Sequence, residues 1–251
     1  MANLIRSPKS GSDWTQHDLE AFRITVRNAD AATFFNHPDL PPPSVPEAIL
    51  DDPSPNNNAE HRRFFRYLEA AMQEEESAVD DFSIALLRLL NYEGENTMIR
   101  QRKEMSLSWV GRNYCYLVVQ ENKRVGSPDD PEAQLIAESI AAFHLNAIRR
   151  RYESNLPLLE RQVIPGITMV GTSPIFYRTT VTRSLLNNLS SLQCPSEETI
   201  VLRFVPPVAN PRLYSRVGMT IVENRRIVLQ CFEAFKPLLV RSRPLFRLAP
   251  C

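Results

Sequence analysis

Between residues 59 and 93 apolar side chains recur at three- and four-residue intervals. They are Phe64, Tyr67, Leu68 and Ala71 in AEHRRFFRYLEAAM, then Val79, Phe82, Leu86, Leu89 and Leu90 in ESAVDDFSIALLRLLNYE. This period predicts two amphipathic helices with core-facing stripes, the first capped by Asn58. The pattern then changes to alternation. In TMIRQRKEMSLSWV, residues 97–110, Met105, Leu107 and Trp109 share one face and Arg100, Arg102 and Glu104 the other, which predicts a single half-buried strand. A Gly111-Arg112-Asn113 turn leads into CYLVVQENKR, residues 115–124. Its unbroken apolar start suits a central strand covered on both faces, yet it ends abruptly in Gln120, Glu121, Asn122 and Lys123.

The remaining punctuation gives an order of elements. FRITV, residues 22–26, reads as a short strand, and Asp30 caps a brief helix through Phe34 and Phe35. Residues 40–58, rich in proline, asparagine and aspartate, read as a loop, with its P-P-P a surface connection rather than a polyproline docking site. Asp130 as cap, Pro131 at the first helical position and Glu132 in the first turn open a helix to about Tyr152, burying Leu135, Ile136, Ile140, Phe143 and Ala147. Residues 167–181 give two strands joined by a Gly171 to Pro174 turn; RSLLNNLSSL is a short helix and TIVLRFV a strand. The last helix, VENRRIVLQCFEAFKPLL, places Ile227, Cys231, Ala234 and Phe235 on one side before Pro237 bends or weakens it. With residues 1–12 small, polar and disordered, residues 13–251 form one domain of the α/β class, with α+β as the variant, in which helices flank a central mixed sheet.

Composition adds limits. At 43% hydrophobic and 23% charged over 251 residues the chain can bury a large core, and it offers neither a signal-peptide-length apolar start nor a membrane-spanning run, which places it inside the cell. Four dispersed cysteines argue against a disulfide framework or zinc knuckle, and Cys115 reads as a core residue. His17, His37, His61 and His144 lack metal-ligand spacing, and seven glycines leave no phosphate-cradling loop. Formal charge is zero but polarised. Residues 13–95 hold 6 basic and 17 acidic side chains, whereas residues 203–251 hold 9 basic and 2 acidic ones. The basic end could meet nucleic acid or a protein partner, but neutralising the chain's own acidic half is the preferred reading. RRRYE at 149–153 reads as a solvated helix end, where cations suit the helix dipole, rather than a phosphate clamp.

Candidate chemistry centres on the end of the CYLVVQENKR strand. Residues two apart on a strand share a face, so Glu121 and Lys123 would emerge together. A carboxylate there could hold Mg²⁺ while the lysine orients the attacking water of phosphodiester hydrolysis. Solvation alone would also leave charges at a strand end. Thr168, Thr172 and Tyr177 could line a pocket, although paired strands explain their segment equally well.

Five features follow in order along the chain: Trp14 with Asp18-Leu19, ATFF at 32–35, QENK at 120–123, PEAQLIAESIAAF at 131–143 and PGITMVGTSPIFYR at 165–178. This order resembles a widespread, largely uncharacterised family of fungal, basidiomycete-type proteins. Their strand-then-helix core in turn resembles the PD-(D/E)XK nuclease-like, restriction-endonuclease-like fold. The resemblance implies an early-helix acid, Glu76 or Asp80; an aspartate on the hairpin strand; the Glu121 and Lys123 pair; and Gln134 as a helical polar group. It makes Mg²⁺ the cofactor of any activity, with Glu121, Glu104, Glu76 and Asp80 as candidate ligands. One departure stands out. Between Glu104 and Glu121 the chain reads MSLSWVGRNYCYLVVQ, without an acid, and only Glu104 could substitute. The preferred reading is therefore a nuclease-like fold without catalysis, serving as a binding or accessory protein. The alternatives are a divergent Mg²⁺-dependent nuclease and an accessory protein of fungal secondary metabolism.

Overall fold

The computed structural model describes residues 10–51, 58–73, 76–93, 97–100, 105–109, 115–123 and 131–241. In chain order these form α1 (Gln16–Ala21), β1 (Ile24–Asn28), α2 (Ala31–Phe35), α3 (Glu47–Asp51), α4 (Ala59–Ala70), α5 (Glu76–Leu89), β2 (Thr97–Arg100), β3 (Met105–Trp109) and β4 (Cys115–Lys123). There follow α6 (Pro131–Ser154), β5 (Arg161–Val170), β6 (Ser173–Thr182), α7 (Arg183–Ser190), β7 (Thr199–Phe204), α8 (Pro211–Val217) and α9 (Val222–Arg241). Among the described residues the strands make one seven-stranded mixed sheet in the order β1-β7-β6-β5-β4-β3-β2. The β1·β7 and β4·β5 pairs are parallel and the others antiparallel, and helices flank the sheet, an α/β fold.

Two buried clusters divide the helices between the faces. On one face α4, α5 and α9 bury Phe64, Leu68, Phe82, Leu86, Phe232 and Phe235 with Ile167 and Phe176 of the sheet. On the other, α1, α6 and α7 bury Leu19, Leu135, Ile136, Phe143 and Leu185 with Ile164, Tyr177 and Val201. Each large side chain removed from water contributes about 1.5–3 kcal/mol, so these stripes outweigh the local propensities of the helices carrying them. The caps are as the sequence requires: the Asp30 carboxylate accepts from Thr33 N–H and the Asn58 side chain from Glu60 N–H.

Several expectations change. Residues 97–110 are not one strand: β2 and β3 pair antiparallel, Thr97 opposite Trp109 and Arg100 opposite Ser106. A period of two persists across such a reversal, which is why alternation alone does not separate the two strands. The loop expected at 40–58 contains α3, whose Ile49 is buried and donates its N–H to the Pro46 carbonyl. Gly11–Asp13, expected to be disordered up to residue 12, forms one 3₁₀ turn against Ala137 and Glu138 of α6. β1 starts two residues late because Phe22 closes α1 and stacks on Trp14, and β5 starts at Arg161 rather than 167, continuing through Pro165. α6 runs to Ser154, α9 continues past Pro237 to Arg241, and α1 and α8 were not anticipated. The turn at 111–113 and the cap at Asp130 lie outside the described residues.

The β5–β6 turn is latched. Thr172 Oγ1 accepts from Met219 N–H at 3.1 Å, Ser173 Oγ donates to the Tyr214 carbonyl at 2.6 Å, and Tyr214 O–H donates to the Pro174 carbonyl at 3.0 Å. Gly218, with φ +44°, passes directly over this turn, and Asn224 Nδ2 holds its carbonyl at 3.1 Å.

Candidate functional site

Parallel β4, β5, β7 and β1 run the same way, so their C-terminal ends share one edge of the sheet. In open α/β sheets this is the edge where ligands bind. Asn28, Arg203, Tyr177, Gly166 and Val118 fall in one row across β1, β7, β6, β5 and β4. α6 lies on this row. The Leu135 side chain would meet a Cβ at Gly166 at 3.0–3.2 Å, so the helix approaches this closely because the strand offers no side chain there.

One turn earlier on α6, Glu132 is buried and its Oε2 accepts from Arg203 Nη1 at 3.0 Å, while Arg203 Nε donates to Asn28 Oδ1 at 2.8 Å. Tyr177, 2% exposed, shares its hydroxyl with Glu132 and Thr168. Burial, and next the Glu132 charge, push the Tyr177 phenol far above its ordinary value, so it stays protonated and serves as a donor rather than a base. The row grades from exposed Asn28 through partly buried Arg203 to buried Tyr177. Its donors and acceptors engage one another, which makes it a clamp: it fixes the first turn of α6, and hence Gln134, relative to β5, β6 and β7.

The structure places the sequence candidates unevenly. Asp80 lies on α5 and Gln134 on α6; both helices pack on β4, from opposite faces of the sheet. Both side chains are partly buried and engaged. Glu121 and Lys123 lie in β4 as expected, and Glu76 opens α5. The side chains of these three residues, and the whole of Glu104, lie outside the described residues. The pairing of β4 with β5 passes from Gln120 opposite Thr168 to Lys123 opposite Val170, three residues against two. A bulge thus falls at Glu121 and Asn122, and simple alternation does not fix Glu121 and Lys123 to a common face. On the partner strand, Met105–Trp109 reads Met, Ser, Leu, Ser, Trp, with Met105 opposite Val119.

Thr168 and Tyr177 belong to the clamp, whereas Thr172 belongs to the latch with Met219, so the three do not line one pocket. Among the described residues no group of three or more His, Cys, Asp or Glu side chains could hold a metal ion, and no helix is long and apolar enough to cross a membrane. Part of the basic end is consumed internally: Arg203 pairs with Glu132, Arg226 with Asp51 and Lys236 with Glu233, while the buried Arg225 guanidinium lies 4.9 Å from the centre of the Phe65 ring. In the sequence Glu132 reads only as a helix-start signal and Arg203 only as part of a basic tail. The overlooked sign was a charge inside the apolar strand TIVLRFV, which requires a partner. No protein-family model matches the chain, and no curated protein matches it.

Proposed function

We propose that the chain is a nuclease-like fold protein that acts inside the cell by binding rather than by catalysis. The observation that carries this reading is β3: the strand antiparallel to β4 holds no carboxylate along Met105–Trp109. The order α5, β2, β3, β4, α6, β5 supports the kinship, because it follows the helix, hairpin strand, E-x-K strand and helix that the resemblance implies. A hard divalent cation needs several anionic or neutral oxygens, and Glu121 without a hairpin acid supplies one anion. Glu132, the nearest acid on the following helix, is committed to Arg203 and Tyr177. The fold is then retained as a scaffold, with the exposed Arg212 and Arg216 of its basic C-terminal region, rather than the internally paired cations, offered to a nucleic acid or protein partner.

Calorimetric titration of the full chain with Mn²⁺ tests this directly. No saturable binding is expected up to millimolar metal, in wild type or in Glu121→Gln. A saturable site in the wild type that disappears in Glu121→Gln would remove the proposal.

A further inference from the structure

The segment that carries α3 is attached to the molecule by side chains. Among the described residues no backbone hydrogen bond links residues 37–51 to any other segment; the bond from Ile49 N–H to the Pro46 carbonyl closes a turn inside the segment itself. Val45 and Ile49, four positions apart, are 8% and 0% exposed and belong to the buried cluster of α4 and α9, the two helices that α3 touches. At one end Ser44 donates from its N–H and its Oγ to Glu233 Oε1, which also receives Lys236 Nζ at 2.8 Å. At the other end Asp51 pairs with Arg226. Ser44 and Asp51 are seven residues apart, and so are Glu233 and Arg226, so the segment lies antiparallel along two turns of α9. A docked peptide sits in this way, apolar anchors in a trough and polar ends on its rim. At five residues α3 is too short to hold its own helix, so it persists only while docked.

We infer that the trough between α4 and α9 is a docking groove held shut in cis by residues 44–51, and that a partner protein opens it with a segment of the same chemistry. That segment carries two aliphatic residues four apart, a hydroxyl residue just before the first and a carboxylate two positions after the second. The resident identifies the occupant: the aliphatic pair takes the places of Val45 and Ile49, the hydroxyl answers Glu233, and the carboxylate answers Arg226. Because α3 is tethered, it competes at high effective concentration, and a partner prevails by reaching further along the groove than five helical residues can. A second copy of this chain brings only the same short segment, without the tether, so exchange between copies is disfavoured. The Asp51–Arg226 pair is 39% and 52% exposed, which makes that end of the closure sensitive to salt. None of this depends on whether the chain cleaves nucleic acid.

The test adds a fluorescent peptide of residues 40–51 to the full-length chain and follows its anisotropy. Ile49→Asp in the protein removes the deepest anchor in cis, and this variant is expected to bind the peptide about tenfold more tightly than wild type, where the tethered copy competes. A peptide carrying Asp51→Lys should lose that binding, and Arg226→Glu added to the protein should restore it. Asp51→Lys in the protein, at an exposed position that leaves both apolar anchors in place, gives the same ranking at smaller amplitude and covers a failure of Ile49→Asp to fold. Hydrogen exchange on wild type supplies the second readout. The Ser44 and Ile49 amides should be protected roughly a hundredfold less than the amides of α9, and less still as salt rises, because the segment lifts without unfolding the helix beneath it. The inference is overturned if those amides exchange in step with α9, if neither protein variant binds the peptide better than wild type, or if the charge exchange with Arg226 leaves affinity unchanged. Dimerisation of the wild-type chain that Ile49→Asp abolishes would assign the groove to a second copy and overturn it equally.

Discussion

Replacing Gly218 with alanine is expected to lower the unfolding free energy by about 3 kcal/mol, as a drop in urea midpoint at unchanged slope. A Cβ at this position would stand 2.2 Å from Thr172 Oγ1, 2.7 Å from Ser173 Oγ and 2.7 Å from the Thr172 carbonyl carbon. None of these atoms can retreat cheaply. Thr172 Oγ1 is held by Met219 N–H, Ser173 Oγ by the Tyr214 carbonyl, and the third atom is backbone. The left-handed φ of +44° adds roughly 1 kcal/mol for any residue with a Cβ. A loss below about 0.5 kcal/mol, within the range of an ordinary surface substitution, would mean that the turn between β5 and β6 is not latched as described.

Glu132→Ala is expected to cost about 2 kcal/mol. Cutting one partner from a buried pair costs roughly 3–5 kcal/mol, but the Arg203 side chain is 34% exposed and can recover part of its hydration, which discounts the loss. Arg203→Met together with Glu132→Ala should recover a substantial part of that loss, because the double variant leaves no uncompensated guanidinium under α6. Hydrogen exchange supplies the local readout. Amides in the first two turns of α6 should lose protection in Glu132→Ala, while those of α9 on the opposite face keep theirs. Equal loss on both faces would indicate general destabilisation rather than release of a clamp.

What the sequence made legible was what local patterning controls. The start and the buried face of α6 were readable because Pro131, Glu132 and a sustained helical period all agree, and Leu135, Ile136, Ile140, Phe143 and Ala147 are buried as expected, although the helix runs to Ser154 rather than about Tyr152. β4 was readable from its apolar run. The β2–β3 reversal was not, because a hairpin preserves the period that a single strand would show. α3 was hidden among prolines, since five residues are too few for a period to emerge and Ile49 is held by tertiary packing. At the candidate site, the position of Glu121 and Lys123 on β4 came from the sequence, but the bulge between Gln120 and Lys123 did not: it is a mismatch of register with β5, a strand more than 40 residues away. The pairing of Glu132 with Arg203, 71 residues apart, is non-local in the same sense.

The measurement closest to the central claim is nucleolytic. Purified full-length chain would be incubated with single- and double-stranded DNA and RNA in Mg²⁺ or Mn²⁺, beside Glu121→Gln prepared in parallel. The β3 strand, lacking a carboxylate, leads to no metal-dependent cleavage above the level of the Glu121→Gln variant. Cleavage that requires the metal and vanishes in Glu121→Gln would contradict the account.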